Sequence, residues 1–210
     1  MWDLLRLPWV AQGPRHYLED DRESQWLSPR ALRDRQHAGL RRTTWHCFLH
    51  VPYFAHSISR VLRPHEIESL DDVTRLPLVL ASERRDDPDA FVATPVERDE
   101  EWIARQAALE MRAIEWLGTS AGDWVTPETG RIASVCQFGA LHLHADHFLV
   151  EAIDDAGRPL PPGARGRLFL TDLHRRASPF LRHELCTEGR VVPDPCECGR
   201  VLPLVEVMGR

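Results

Sequence analysis

The hydrophobic pattern of the chain changes its period near residue 120, and this change constrains the fold more than any other feature. Before it, apolar residues recur at helical spacing; after about residue 130 they alternate in short runs between turn residues. Helices followed by strands, rather than strands alternating with helices, are typical of an α+β fold. The sequence therefore predicts a mainly helical region over 1–123 and an antiparallel β region over 124–210.

Local signals predict three helices in the first region. Ser28 offers a capping hydroxyl just before a proline, and the helix that begins there should end before Pro52. A short helix is expected from Pro64 through Leu70. The longest helix is expected over about residues 98–117, where large apolar residues recur every seven positions ahead of Gly118.

The second region contains apolar runs of strand length separated by strong turn signals. Asp154-Asp155-Ala156-Gly157 and Pro161-Pro162-Gly163 are two such turns. The predicted strands are Arg131–Cys136, His147–Ile153, Arg167–Thr171, Pro179–Leu185 and Val201–Val207.

The charged residues exclude several classes of function. All 26 basic side chains are arginine, and 32 acidic side chains give a net charge of −6. Without lysine there is no phosphate-binding loop ending in Gly-Lys-Ser/Thr and no Schiff-base lysine. Nucleic acid is not an expected partner, because its binders carry a basic surface and usually a basic domain.

No apolar run approaches the roughly 20 residues that span a bilayer, so no membrane partner is expected. The first residues lack the charged and apolar segments of a signal peptide. Five cysteines, two of them only one residue apart, suit a disulfide framework poorly. We therefore expect a cytoplasmic protein with reduced thiols.

Cys196-Glu197-Cys198-Gly199 is the sharpest local motif. A Cys-x-Cys pair followed by glycine lets two thiolates converge on one soft cation. Cys136 and His142 could complete a tetrahedral set of three cysteines and one histidine. Such a set leaves no open position for water, which predicts a structural zinc; the alternative is two small turn residues and a surface histidine.

Other histidines and cysteines allow further interpretations. His142 and His144 share one face of a strand, and His147 follows, so a catalytic histidine pair is an alternative to the closed site. His183 is a further candidate for proton transfer. Cys47 and Cys186 are interpreted as ordinary buried thiols.

The order of several segments resembles the phenylacetate–CoA ligase branch of the adenylate-forming, AMP-dependent ligases. The matching segments follow the family order from the N-terminal half onward, beginning with Gln25-Trp26-Leu27-Ser28-Pro29 and Val51-Pro52-Tyr53-Phe54. In the β region they are Glu128-Thr129-Gly130, Gly139-Ala140-Leu141-His142-Leu143, 166–173, Pro179-Phe180-Leu181-Arg182-His183, Cys196-Glu197-Cys198-Gly199-Arg200 and Met208-Gly209-Arg210.

The resemblance implies a reduced ligase core that lacks the central pocket domain and the C-terminal lid. It assigns Glu128 to the magnesium side of a nucleotide site, Arg182 and Arg210 to its surroundings, and the Cys/His set to zinc. The family's Ser/Thr/Gly-rich phosphate loop corresponds to the glycine-free 89–95, and its ribose-binding Gly-Asp to Cys186-Thr187. ATP or AMP is therefore not an expected cofactor.

Three functions follow as hypotheses. The first is a pseudoenzyme that serves a biosynthetic pathway as a zinc-stabilised binding module for a carboxylate ligand or a carrier protein. The second is an enzyme of altered chemistry, performing acyl transfer, condensation or cyclisation on a preactivated substrate with histidines of the β region. The third is one half of a split ligase that another chain completes. A homodimer or a heterocomplex is expected in each case.

Overall fold

A computed structural model describes residues 23–94, 122–126 and 129–208. Helix α1, Pro29–His50, begins where the sequence predicts, because the Ala31 amide donates to Ser28 Oγ at 3.1 Å. It ends where the Val51 amide donates to the carbonyl of Cys47. Helices α2, Pro52–Ser59, and α3, Ala81–Asp86, follow.

The predicted helix over 64–70 is wrong in detail. Two 3-10 turns, Pro64–Glu66 and Leu70–Arg75, take its place, and a third spans Pro88–Phe91. The first turn stops because the Asp72 carboxylate accepts the amides of Glu68 and Ser69 and so starts a new turn. The helix predicted over 98–117 lies outside the described residues.

The β region forms one seven-stranded sheet in which every pair of neighbouring strands is antiparallel. The strands are β1 Trp124–Thr126, β2 Gly130–Val135, β3 Leu141–Leu143, β4 Phe148–Ile153, β5 Gly166–Asp172, β6 His183–Val192 and β7 Leu204–Val207. Their order across the sheet is β1-β2-β3-β7-β6-β5-β4. Helices before an antiparallel sheet confirm the α+β class. Among the described residues no helix is long and apolar enough to cross a membrane.

Three of the predicted strands differ from the observed ones by a residue at one or both ends, and the other two begin three or four residues later than predicted. The strand predicted over 179–185 begins only at His183 and continues to Val192, because Arg182 adopts a left-handed backbone with φ 43° at its start. The strand predicted from 201 begins at Leu204, since the Val201 amide donates to the carbonyl of Gln25 instead. β1 and β3 were not predicted, because three residues are too few to show alternation.

Two apolar clusters hold these layers together. One joins α1, α2 and the 3-10 turns to Leu173 and Leu181, and the other fills the sheet and includes Leu32 of α1. Gly39 lets α1 approach the sheet, because a Cβ atom there would lie 2.9 Å from Cβ of Leu173. The helical and β regions therefore pack on each other directly.

Gly189 should tolerate no side chain. A Cβ atom there would lie 2.3 Å from the backbone oxygen of Glu206, so β6 and β7 would have to separate. We expect Gly189→Ala to lower the free energy of unfolding, measured by urea unfolding, by at least about 1 kcal/mol. Glu188→Ala at the exposed neighbour is the control, and equal stability of both variants would contradict this prediction.

Candidate metal centre

The structure brings together the side chains of Cys136, His142, Cys196 and Cys198. Their ligand atoms all lie within 4.8 Å of one another. Sγ of Cys136 is 3.7 Å from Sγ of Cys196, close to the ~3.8 Å that tetrahedral geometry with Zn–S bonds of about 2.3 Å requires. All three cysteines are free thiols, so no disulfide explains the contact.

Two similar turns present the cysteines. In Cys136–Gly139 and in Cys196–Gly199 the amide of the glycine donates to the carbonyl of the first cysteine, at 2.9 and 3.1 Å. Both glycines have left-handed backbones, with φ of 78° and 77°, which a side chain would strain. The first turn joins β2 to β3 and the second lies between β6 and β7. The sequence therefore contains the same Cys-x-x-Gly turn twice.

His142 is oriented as a metal ligand. Its Nδ1 is 3.0 Å from the carbonyl oxygen of Leu202, so Nδ1 carries the proton and donates it there. Nε2 is then unprotonated, and it lies 3.2 Å from Sγ of Cys198. Burial lowers the pKa of His142, which keeps the imidazole neutral as metal binding requires.

The surroundings of Cys136 and Cys196 shift the pKa values of the two thiols in opposite directions. Burial opposes ionisation of Cys136, but amides of Phe138 and Ala140 donate to its sulfur and lower its pKa. The amide of Cys198 acts in the same direction on Cys196, but burial and the neighbouring thiols raise the pKa of Cys196. Several thiolates in one place repel each other unless a cation lies between them, so this donor set fits a soft divalent metal.

The candidate catalytic histidines have separate surroundings. His144 Nε2 and Ser134 Oγ are hydrogen-bonded at 2.8 Å. His147 Nε2 lies 3.4 Å from a carboxylate oxygen of Asp146, and its ring lies 4.7 Å from that of His174. His183 packs 4.8 Å from the Phe180 ring, and its Nδ1 is buried with no hydrogen-bond partner in the described part of the chain.

Protonation of His183 should destabilise the fold. Burial, with a smaller effect from Arg84, lowers the pKa of His183 to about 4. Between that value and the unfolded pKa of about 6.5, only the unfolded chain binds the proton. We expect the free energy of unfolding to fall by up to about 1.4 kcal/mol per pH unit as the pH drops through this window, and His183→Asn to flatten the fall. The same pH dependence of stability in the wild type and in His183→Asn would contradict this prediction.

Of the three candidate nucleotide-site residues, Arg182 is the one that the structure describes. Arg182 is buried, and its guanidinium donates to both carboxylate oxygens of Glu151 at 3.0 and 2.9 Å. It also donates to the carbonyls of Thr74 and Leu76 at 2.9 and 2.7 Å. These contacts hold the Arg182 guanidinium within the fold, and its predicted place beside a nucleotide stays a prediction. Glu128 and Arg210 lie outside the described residues, so their predicted roles remain predictions.

Four amides of the segment that corresponds to the phosphate loop donate to oxygens of this chain. The Ala90 amide donates to the Asp87 carboxylate, and the Val92 amide donates to the carbonyl of Asp89. The amides of residues 93 and 94 donate to the carbonyls of Ala177 and His50. Backbone donors that already bind protein oxygens do not converge on a phosphate.

Sequence reasoning missed two side chains near these sites. Arg84 belongs to a charged run that predicts solvated surface, but its guanidinium lies 4.6 and 4.2 Å from the rings of Phe91 and Phe180. Burial lowers the pKa of Arg84 to about 10. Ser134 was missed because no local motif distinguishes it. Only the pairing of β2 with β3 brings it to His144.

Part of this chain is similar in sequence to a known protein. No family model matches the chain. A segment of 71 residues is 38% identical to phenylacetate-coenzyme A ligase of Thermus thermophilus, and it covers 33% of this chain but only 16% of that ligase. The chain therefore matches a small part of its curated relative.

Solved structures of 2-hydroxyisobutyryl-CoA ligase share the fold. The complex with 2-HIB-AMP and CoA gives a TM-score of 0.67 at 14% identity, covering 89% of this chain and 70% of that one. The complex in the postadenylation state gives 0.64, also at 14% identity, covering 83% and 67%. Partial coverage agrees with the expected reduced core. The chain is therefore similar in sequence to a part of phenylacetate-coenzyme A ligase and shares its fold with 2-hydroxyisobutyryl-CoA ligase, and it spans only part of the length of either protein.

Proposed function

We propose that the chain is a ligase-like binding module whose β region is stabilised by a structural zinc. The observation that carries this proposal is the convergence of three thiols and the unprotonated Nε2 of His142 on one point. Four protein ligands fill a tetrahedral zinc site, so no position remains for water or substrate. The metal would join the β2–β3 turn to the segment between β6 and β7 and would take no part in chemistry.

We also propose that this chain does not adenylate a carboxylate without a partner. The amides of residues 90 and 92–94 donate to protein oxygens, and the Arg182 guanidinium is held by Glu151 and two carbonyls. The chain has no lysine, and Cys186-Thr187 corresponds to the family's ribose-binding Gly-Asp. In each case a group that would bind or polarise a nucleotide is either bound to protein oxygens or absent from the sequence.

Metal analysis and nucleotide titration on one preparation test both parts. We expect one zinc per chain by elemental analysis and no heat of ATP or AMP binding by calorimetry. ATP-dependent release of AMP with any carboxylate would contradict the second part. A folded protein that binds no zinc would contradict the first.

A surface cavity of about 550 Å³ supports a small-carboxylate ligand. Val135, Leu141, Val207 and Met208 supply apolar walls, and the lining also contains Arg165 and Glu206, whose charged groups lie 3.4 Å apart. We propose that an apolar carboxylate binds there by taking the place of Glu206 on Arg165, because Glu206 keeps its two hydrogen bonds from Arg190. Phenylacetate is a suitable probe given the named relative. Phenylacetate should raise the melting temperature of the wild type but not of Arg165→Gln; no shift in either would contradict this.

The proposed assembly is a homodimer or a heterocomplex. Large apolar side chains, among them Phe138 and Met208, are half-exposed on the β region. Light scattering coupled to size exclusion, at several concentrations, should give a mass above that of the 24.1 kDa chain or show capture of a stoichiometric second chain. A stable monomer at all concentrations would contradict a homodimer.

The hydrogen bond between Ser134 and His144 favours a second candidate function. At 2.8 Å, an unprotonated Nε2 of His144 accepts the hydroxyl proton and can activate Ser134 as a nucleophile toward a preactivated acyl group. Hydrolysis of p-nitrophenyl acetate should then require Ser134, and Ser134→Ala should abolish a turnover that Ser59→Ala retains. Equal rates in both variants would contradict acyl transfer at this pair.

A further inference from the structure

We propose that Cys136 and Cys196 form a disulfide when a peroxide oxidises the metal cluster, and that the zinc is then released. The inference rests on the proposed zinc site and assigns it a redox response. It concerns one specific pair among the five cysteines of the chain.

The two sulfurs are already close. Sγ of Cys136 and Sγ of Cys196 are 3.7 Å apart although the residues are 60 positions apart in the chain. A disulfide bond of about 2.05 Å needs an approach of only ~1.7 Å. Both cysteines lie in turns outside the strands, at Cys136–Gly139 and Cys196–Gly199, so their side chains can rotate without loss of a strand pair.

The other cysteines are less suited to the bond. Sγ of Cys198 is directed to Nε2 of His142 at 3.2 Å. A bridge between Cys196 and Cys198 would close a strained ring inside a turn that the Gly199 amide already fixes. Cys47 is completely buried in the helical core cluster, and Cys186 is exposed in β6 and is not among the clustered ligands.

Accessibility sets the order of the two steps. Cys196 is half-exposed, whereas Cys136 is buried. The Cys196 thiolate attacks one oxygen of hydrogen peroxide, which breaks the O–O bond and gives a sulfenic acid and hydroxide. The Cys136 thiolate then attacks that sulfur and expels a second hydroxide. Two protons convert both hydroxides to water, so two thiolates are oxidised by two electrons and one peroxide is reduced.

The product keeps the cross-link but loses the metal site. The disulfide joins the same two turns as the zinc, so the sheet should stay folded. His142 and Cys198 remain, and two ligands do not make the closed set that structural zinc needs. Oxidation would therefore exchange a metal cross-link for a covalent one, reversibly under reducing agents.

The test starts from the full chain with its zinc content measured. Hydrogen peroxide is titrated in while a chromogenic chelator reports released zinc, and non-reducing tryptic mapping reports the bond. Because the chain lacks lysine, trypsin places Cys136 in peptide 132–165 and Cys196 in peptide 191–200. Tandem mass spectrometry then separates Cys196 from Cys198.

We expect one zinc released per disulfide, a Cys136–Cys196 linkage, and recovery of zinc binding after reduction. Cys186→Ser, at a cysteine outside the cluster, should behave as the wild type. Zinc retained under peroxide, or a bond that uses Cys198 or Cys186, would overturn this inference without contradicting the proposed zinc site. Protein without zinc before peroxide is added would overturn the proposed site itself, so the two failures are distinguishable.

Discussion

The His142→Ala variant is expected to lose bound zinc and at least about 4 kcal/mol of its free energy of unfolding. The loss should be large because the four side chains lie on segments about 60 residues apart, and the proposed zinc would be their common contact. Removing the imidazole also leaves the carbonyl of Leu202 without its donor. Zinc analysis and chemical unfolding of the same preparation measure both effects.

His144→Ala is the matched control for this variant. It lies two residues further along, is half-buried, and contacts Ser134 rather than the thiols. It should keep its zinc and lose less than about 1.5 kcal/mol. If His142→Ala and His144→Ala were equally stable and equally loaded with zinc, the assignment of His142 would be wrong.

Arg182→Met is expected to cost about 3–5 kcal/mol of folding free energy. The Arg182 side chain is only 3% exposed and makes two hydrogen bonds with Glu151, whose side chain is 14% exposed. Burial raises the pKa of Glu151 even with Arg182 present, so the carboxylate depends on this partner. The carbonyls of Thr74 and Leu76 would also lose a donor.

A surface pair of the same geometry provides the control. Arg190 donates through two nitrogens to Glu206, but these side chains are 33% and 47% exposed. Arg190→Met should cost less than about 1 kcal/mol, because water replaces the lost contacts. The double variant Arg182→Met with Glu151→Gln should recover part of the loss. Equal urea midpoints for the two arginine variants would contradict the structural role of Arg182.

The sequence predicted best what depends on neighbouring residues. The capped start of α1 needs only Ser28 and the proline after it, and both turns around 154–163 follow from local composition. The clustering of Cys136, His142, Cys196 and Cys198 could be predicted because cysteines and a histidine beside a glycine turn are a common zinc-binding pattern. The repeat of Cys-x-x-Gly at Cys136–Gly139 was visible in the sequence and could have strengthened that prediction.

The sequence could not predict contacts that arise only from the tertiary fold. Arg84 lies in a charged run, but it reaches Ser178 across 94 positions and packs on two aromatic rings. The pairing of β2 and β3 decides that Ser134 meets His144, and β3 is too short to be recognised from its pattern. The position of Arg182 matches that of an arginine near the nucleotide in the family that the sequence resembles. Its hydrogen-bond partners come from distant segments of the chain, so the sequence could not predict them.

Native mass spectrometry of the full chain, purified without chelator and then titrated with ATP, tests the central claim most directly. The account predicts one zinc per chain, lost in His142→Ala and kept in His144→Ala, with no ATP adduct at any zinc-loaded charge state. A folded, zinc-free wild-type chain, or a zinc-loaded chain that binds ATP stoichiometrically, would contradict it.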